Sequence, residues 1–212
     1  MLTPTRSGSV RRRSGNAPDW RRRVPVLKNQ KVLLRELRLP DADALFEHLS
    51  GEKVARHITM PPASVEAFRR FIRWTQIQRR RGRHVCFGVV PAGQTSVVGL
   101  LQVWPIDPEF STAEWGFVIG PAYWGTGLFL DAARLLLSFA FDVIGVTRLE
   151  ARSVATNARG NAVLRKLGAK REGRLRQGFR RNGTCTDQIM WSILADDLDA
   201  LRRKAGRTSK AT

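Results

Sequence analysis

The chain has 212 residues, of which 42% are hydrophobic, and a formal net charge of +19, a length that suffices for one globular domain with a sizeable core. Its two cysteines, Cys86 and Cys185, lie far apart in apolar, strand-like runs, which excludes a disulfide framework or a cysteine-based metal knuckle. No apolar run approaches the length of a membrane span, and the N-terminal region lacks the hydrophobic stretch of a secretion signal, so we expect a cytoplasmic protein.

Positive charge is concentrated at the two ends of the chain. Residues 1–30 hold eight Lys and Arg against Asp19 alone, and residues 202–212 hold five with no acid. The first segment is rich in Ser, Gly, Pro and Asn, which predicts a basic, disordered tail, and the last is predicted to be a second basic tail. An RNA-binding arm and an organelle presequence are alternatives, but arginine runs are unspecific motifs and we favour a solvated tail. Residues 31–201 are predicted to form a single domain.

The first predicted elements are a strand and two helices. KVLLREL at residues 31–37 has a strand pattern, and a short helix is predicted at residues 40–49. Ser64 caps a longer predicted helix, which ends in the cations and glycine of residues 79–82.

A hairpin and then alternating strands and helices are predicted from residue 85 onwards. Strands at residues 85–90 and 97–104 flank the turn-rich segment PAGQTS, and a strand at residues 113–119 completes an antiparallel meander. The later predicted elements are a helix at 128–144, a strand at 148–154, a helix at 157–167, and strands at 172–179 and 186–194.

The glycine-containing segment before the helix at residues 128–144 indicates a binding site for an anion. That helix is apolar nearly all round, which is typical of a helix packed deep against a sheet. Its first N–H groups need partners, and an anionic ligand at residues 125–128 would supply them. A third glycine at Rossmann spacing and the Lys-Ser/Thr pair of a P-loop are both missing. Without further context, the segment would be interpreted as a simple turn.

The surrounding sequence supplies that context. AEWGFVIGPAYWGTGLFLDAARLLLSFAFDVIGVTRLEARSVATNARGNAVLRKLGAKREGRLR, residues 113–176, resembles the acetyl-CoA-binding core of the GNAT N-acetyltransferases. It is closest to the RimJ/RimL branch, which acetylates protein N-terminal amines, and the resemblance covers about residues 31–197. It implies an α/β (α+β) acyl-CoA N-acyltransferase fold, in which a central mixed, mostly antiparallel sheet with flanking helices splays apart at the CoA site.

The resemblance also implies acetyl-CoA as the acetyl donor, with no metal, and it assigns the cofactor contacts. The loop before the buried helix binds the CoA diphosphate, and the preceding strand pairs with the pantetheine amides. Phe129 departs from the family, which usually has Gly or Ala there. An Asn such as Asn157 contacts pantetheine, although an N-cap is an equal alternative. The implied cofactor-binding residues are Phe117, Val118, Ile119, Trp124, Gly125, Thr126, Gly127, Leu128, Asn157 and Asn161.

Direct acetyl transfer needs a base, because an ammonium group must lose a proton before it can attack a thioester. Glu114 is the first candidate, since it lies on the strand beside the CoA site between apolar neighbours that raise the pKa of a carboxyl group. Glu150 on the next strand is the second candidate. Either carboxylate is alternatively a strand-end charge that faces solvent or pairs with an Arg such as Arg152.

The sequence does not identify a general acid for the departing sulfur. Members of the branch often carry Ser at the position of Gly160, and others use a Tyr that this helix lacks. Water or Asn161 is the alternative hydrogen-bond donor to the departing sulfur, or no acid is needed.

Two classes of function follow. The first is an N-acetyltransferase that acts on a primary amine in a ternary complex. The resemblance implies a protein N-terminus of the ribosomal-protein type as the acceptor, with a small-molecule amine as the alternative. The second is a basic RNA- or ribosome-binding module on the same fold. A monomer and a homodimer are both compatible with the sequence, and no membrane partner is expected.

Overall fold

The computed structural model describes residues 19–58 and 61–200. A 3-10 turn at Pro121–Tyr123 precedes the fourth helix, and a π-helical turn at Phe139–Ile144 continues it. The predicted C-terminal tail lies outside the described residues, as do residues 1–18 of the predicted N-terminal tail. The strands and helices are β1 Leu27–Lys28, β2 Val32–Glu36, α1 Asp41–Leu49, α2 Glu52–Ala55, α3 Val65–Arg80, β3 Val85–Pro91, β4 Gly99–Pro105, β5 Thr112–Ile119, α4 Leu128–Ser138, β6 Arg148–Val154, α5 Ala158–Lys166, β7 Lys170–Arg181 and β8 Thr184–Leu194.

Ordered structure begins before the predicted domain boundary at residue 31. Trp20 and Val24 are each 4% exposed and belong to the main hydrophobic core. The indole of Trp20 lies edge-on to Phe110, with ring centroids 5.9 Å apart. The prediction of a tail is therefore wrong for residues 19–30, because two large apolar side chains anchor this arginine-rich stretch to the fold.

The eight strands form one sheet in the order β1-β2-β3-β4-β5-β6-β8-β7. Every neighbouring pair is antiparallel except β5 and β6, which are parallel. The prediction of a mixed, mostly antiparallel sheet is thus confirmed, and so is the β3–β4 hairpin with β5 beside it.

Helices cover both faces of the sheet. On one face, α4 buries Leu136 and Leu137 completely in the main core. On the other face, α1 and α3 pack over β3 and β4, where Phe68 and Ile72 of α3 are fully buried. Ser64 caps α3 as predicted, since its hydroxyl accepts a hydrogen bond from the Ala67 N–H at 3.1 Å.

The sheet opens between its two parallel strands. β5 and β6 pair only between residues 112–114 and 148–150, although β5 continues to Ile119 and β6 to Val154. Beyond this short contact, the two strands diverge and leave a gap in the middle of the sheet. The splay that the resemblance implied is therefore present.

Strand β4 packs closely against β5 at Gly99, beside this gap. A Cβ atom on Gly99 would lie 2.4 Å from the Val118 carbonyl oxygen and 2.8 Å from the Ile119 Cα. Both atoms are backbone and cannot move aside, so Gly99→Ala is expected to lower the free energy of unfolding by about 1–3 kcal/mol. Thermal melting measures this effect, with Gly173→Ala as the control because a Cβ there meets nothing within 4 Å. Equal melting temperatures of the two variants would contradict the packing described.

Candidate active site

Two cavities meet where β5 and β6 diverge. The first, which we call the loop cavity, has a volume of about 480 Å³ and lies between β5, α5 and the loop of residues 124–127. The second, the strand cleft, has a volume of about 760 Å³ and is lined by parts of α3, β4, β5, β6 and β7. The two cavities adjoin, because they share the lining residues His57, Ile58, Phe117, Val118 and Asn157.

The loop of residues 124–127 presents three unpaired backbone N–H groups at the start of α4, since only the Trp124 N–H has an acceptor, the Pro121 carbonyl. Gly125 and Gly127 have φ angles of 79° and 85°, in the left-handed region that favours glycine. The Thr126 hydroxyl holds the turn by donating to the Tyr123 carbonyl at 2.9 Å and accepting from the Leu128 N–H at 3.3 Å. The N–H groups of residues 125–127 donate to no other described residue. Such a loop at a helix N-terminus suits an anionic group.

The charged side chains that line the loop cavity are positive and therefore also suit an anion. Its described lining includes Lys53, Arg159 and Lys166 and no carboxylate. The Arg159 guanidinium lies 4.1 Å from the ring centroid of Trp124, a cation–π contact that fixes both side chains beside the loop. The Trp124 Nε1–H donates to the Ile119 carbonyl at 3.0 Å, which ties the loop to the end of β5.

The backbone of β5 offers only alternate residues to the gap. The Gly120 N–H donates to Val98 and the Ile106 N–H donates to Thr112, which sets the phase of the β4–β5 ladder. Hydrogen-bonded and non-hydrogen-bonded pairs alternate along an antiparallel ladder. Val118 and Leu100, two residues from the Gly120–Val98 pair, therefore also form a hydrogen-bonded pair. The N–H and carbonyl of Val118 thus point towards β4. Val118 lines both cavities without turning its backbone to the gap, whereas the backbone groups of Phe117 and Ile119 face the gap.

Phe129 and Leu128 pack inwards at the first turn of α4. The ring of Phe129 is 8% exposed and lies 4.7 Å from the ring of Phe117, centroid to centroid. This contact accounts for a large residue where the family usually has a small one, because the Phe129 ring packs against β5. The side chain of Leu128 is buried in the core and lines neither cavity.

The two asparagines of the α5 region have different roles. The Asn157 Oδ1 accepts from the Gly160 N–H at 2.9 Å, so Asn157 is the N-cap of α5, and it also lines both cavities. Asn161 is buried, with its Nδ2 donating to the Val154 and Asn157 carbonyls and its Oδ1 accepting from the Trp191 Nε1–H. All its polar atoms are used in the core. The prediction that Asn161 contacts the cofactor or the departing sulfur is therefore wrong.

Glu114 lines the strand cleft, and its pKa is raised from its ordinary value of 4.5. Burial is the main cause, while the Arg152 guanidinium and a hydrogen bond from Trp104 oppose it and Glu150 adds to it. The Arg152 Nη1 lies 3.8 Å from the Glu114 Oε2, so the alternative of a carboxylate beside an arginine is also present. The arginine is 43% exposed, and solvent weakens this pairing.

Glu150 does not reach either cavity. It is 9% exposed, and its Oε1 accepts from the Arg148 Nε at 2.7 Å. Arg148 also bonds to Glu172, so the three side chains form one ion-pair network at the paired end of β6. Glu150 is thus a structural carboxylate, and its prediction as a second candidate base is wrong.

His57 is a site residue that the sequence pattern did not reveal. It lies in the turn after α2 and lines both cavities. The sequence offers no second histidine at metal or triad spacing, and α2 itself was not predicted. Only the fold brings this turn to the gap between β5 and β6.

Residues 19–58 and 61–200 contain no group of three His, Cys, Asp or Glu side chains placed to hold a metal ion. In the part of the chain that the structure describes, none of the helices combines the length and apolarity of a membrane span.

A splayed sheet, a loop suited to phosphate and two adjoining cavities provide separate spaces for an anionic ligand and for a second molecule. The sequence profile described as an acetyltransferase (GNAT) domain matches residues 31–170. The chain therefore belongs to the GNAT acetyltransferase family, and it is an N-acetyltransferase that uses acetyl-CoA.

Individual relatives have low identity to this chain. The uncharacterized N-acetyltransferase YoaA of Bacillus subtilis is 27% identical over 175 residues, which span 80% of this chain and 97% of YoaA. The spermidine N(1)-acetyltransferase of Escherichia coli K12 is 30% identical over 110 residues, 52% of this chain and 59% of that enzyme. The structure of RimL, a ribosomal L7/L12 alpha-N-protein acetyltransferase in complex with coenzyme A, is 20% identical with a TM-score of 0.74, covering 82% of this chain and 99% of RimL.

Proposed function

We propose that this N-acetyltransferase acetylates the α-amino group of a polypeptide, such as a ribosomal protein, by direct attack on acetyl-CoA. The observation that carries the proposal is the charge of the strand cleft. Glu114 is the one carboxylate among its described lining residues, which also include Arg152 and Arg180. A polyamine presents several ammonium groups and would meet the two guanidinium groups, whereas a peptide N-terminus presents one.

The loop cavity is the proposed donor site. The free N–H groups of Gly125, Thr126 and Gly127 bind the diphosphate, and Lys53, Arg159 and Lys166 supply long-range attraction. The backbone N–H and carbonyl of Phe117 and the N–H of Ile119 pair with the pantetheine amides, since the Ile119 carbonyl already accepts from Trp124. The Asn157 side-chain amide contacts the same arm while its Oδ1 caps α5. RimL, which has the same fold, binds coenzyme A.

Glu114 is the proposed general base on the acceptor side. An α-amino group has an ordinary pKa near 8, so part of it is already neutral at pH 7 and the remainder loses one proton to Glu114. A raised pKa makes the carboxylate a stronger base. The two cavities join, so amine and thioester can be present together. Neither Cys86 nor Cys185 lines a cavity, which favours direct attack over a cysteine-bound acetyl group.

A comparison of acceptors tests the proposal. Release of CoA is measured with a peptide that has a free N-terminal Ser or Ala, with the same peptide blocked at its N-terminus, and with spermidine. The free peptide is expected to have a kcat/KM at least about tenfold above that of spermidine, equivalent to about 1.4 kcal/mol of discrimination. The blocked peptide serves as the control and should give only background release. A preference for spermidine would favour a small-molecule amine instead, the substrate class named for the Escherichia coli relative.

Binding of RNA through basic surface gains less support. The cations of the α3 region that suggested it are Arg69, Arg70, Arg73, Arg79, Arg80, Arg81 and Arg83. Arg79 is buried and paired with Glu36 at 2.6 Å, and Arg69 and Arg73 pair with Glu66. Three of these seven arginines are therefore paired with carboxylates within the domain, and residues 1–18 and 202–212 lie outside the described residues.

A further inference from the structure

The loop cavity and the strand cleft share a small boundary, which every acetyl group must cross. A thioester held in the first cavity and an amine held in the second can react only where the two spaces join. The side chains common to both linings are His57, Ile58, Phe117, Val118 and Asn157.

His57 is the one proton carrier among these five. Ile58, Phe117 and Val118 are apolar, and the Asn157 amide does not titrate and caps α5. Glu114 lines the strand cleft but not the loop cavity, so it lies on the amine side of the boundary. Of the five shared side chains, only His57 can pass a proton from the amine side to the sulfur side of this boundary.

The surroundings of His57 favour the neutral imidazole. Burial lowers its pKa from 6.5, and the charges of Arg56, Arg159 and Arg181 lower it further. Arg181 is itself paired with Glu52 at 3.1 Å, and Lys53 adds another cation from α2. The Nδ1 atom is buried and has no hydrogen-bond partner among the described residues, so no hydrogen bond fixes the tautomer. In the tautomer with its hydrogen on Nδ1, the Nε2 lone pair is free to accept a proton.

We propose that His57 carries a proton from the attacking nitrogen to the departing sulfur, a role that rests on the acetyl transfer proposed above. Glu114 first removes one proton from the ammonium. As the N–C bond forms, the Nε2 of His57 accepts the second proton, and as the C–S bond breaks it donates that proton to the sulfur. The products are the amide and the free thiol of CoA, His57 is again neutral, and one proton leaves through Glu114.

The acidities fit this direction of transfer. A thiol has an ordinary pKa near 8.5 and imidazole near 6.5, so an imidazolium gives its proton to a thiolate spontaneously. Lowering the pKa of His57 increases this driving force. The chain has Gly160 where a hydroxyl was expected from the resemblance, and Tyr123, the single tyrosine of the chain, donates its hydroxyl to Gln94 at 3.3 Å.

Steady-state kinetics of His57→Gln test the shuttle, with His48→Gln as the matched control because His48 lines neither cavity. Glutamine keeps a polar side chain but carries no proton, so kcat is expected to fall at least about tenfold while KM for acetyl-CoA stays within about threefold. His57→Ala should regain rate on addition of free imidazole. Thermal melting with and without acetyl-CoA confirms that each variant is folded and binds the donor.

A second acceptor separates the two proton carriers. An aromatic amine, already neutral at pH 7, needs no proton removal before attack, so it should restore activity to Glu114→Gln but not to His57→Gln. A kcat of His57→Gln within about threefold of wild type, or a loss that free imidazole does not reverse in His57→Ala, overturns the shuttle and leaves the proposed function intact. If the wild-type protein acetylates none of the amines, the proposed function fails and the shuttle with it.

Discussion

Replacement of Glu114 by Gln is expected to lower kcat/KM for a peptide acceptor by about 10²–10⁴-fold. Glutamine preserves the size of the side chain but cannot accept the proton of the acceptor ammonium. Because Glu114 lines the strand cleft and not the loop cavity, acetyl-CoA should stabilise the variant as it does the wild type. Initial rates of CoA release and thermal melting with acetyl-CoA measure the two properties separately.

The pH dependence gives a second measure of the same role. Burial raises the pKa of Glu114 above 4.5, and the basic form is lost as the pH falls through that raised value. The wild-type kcat/KM should therefore decrease at acidic pH, and the part of this decrease due to Glu114 should be absent from Glu114→Gln. Glu109→Gln is the control, because Glu109 is exposed and lines neither cavity. Equal rates for the two variants would exclude Glu114 as the base.

Features that depend on local backbone geometry could be predicted from the sequence. Gly127 lies between an apolar strand and an apolar helix, and its φ of 85° is a conformation that glycine adopts easily. Asn157 precedes a helix and caps it, which is the common role of asparagine at that place. Period-two and helical patterns located the sheet and the main helices for the same reason, since each is a property of neighbouring residues.

Features that depend on which way a residue faces in the assembled sheet could not be predicted. Asn161 lies one helical turn after Asn157, but α5 directs it to Trp191 in the core. Glu150 lies opposite Glu114 in the β5–β6 pair, yet Arg148 holds it in an ion-pair network. Val118 lies directly between Phe117 and Ile119, whose backbone groups face the gap. Its own backbone groups point to β4 because of the phase of the β4–β5 ladder.

The positions of His57 and Trp20 could not be predicted from the sequence for a related reason. Each belongs to a short segment without a hydrophobic period, one after a four-residue helix and the other in an arginine-rich stretch. Their positions result from long-range packing, which leaves no local pattern in a single sequence. Glu114 and the loop of residues 124–127 could therefore be proposed from the sequence, whereas His57, which lines both cavities, could not.

Replacement of Gly127 by Glu is expected to abolish the stabilisation that acetyl-CoA gives the wild type. At a donor concentration of 100 Kd, that stabilisation is about 2.7 kcal/mol, which raises the melting temperature of a domain of this size by about 5–10 °C. A carboxylate at residue 127 would lie beside the free N–H groups of the loop and repel the diphosphate. Thermal melting at several acetyl-CoA concentrations measures the loss.

Gly127→Gln is the control that separates charge from backbone strain. Any side chain at a φ of 85° costs about 1–2 kcal/mol, so both variants should melt below the wild type without ligand. A Cβ atom there meets nothing within 4 Å, and glutamine and glutamate have the same shape, so charge is the main difference between the two variants. The glutamine variant should keep part of the acetyl-CoA shift and the glutamate variant none. A full shift in Gly127→Glu would place the diphosphate away from this loop, and the helix N-terminus would then have to be satisfied by another group.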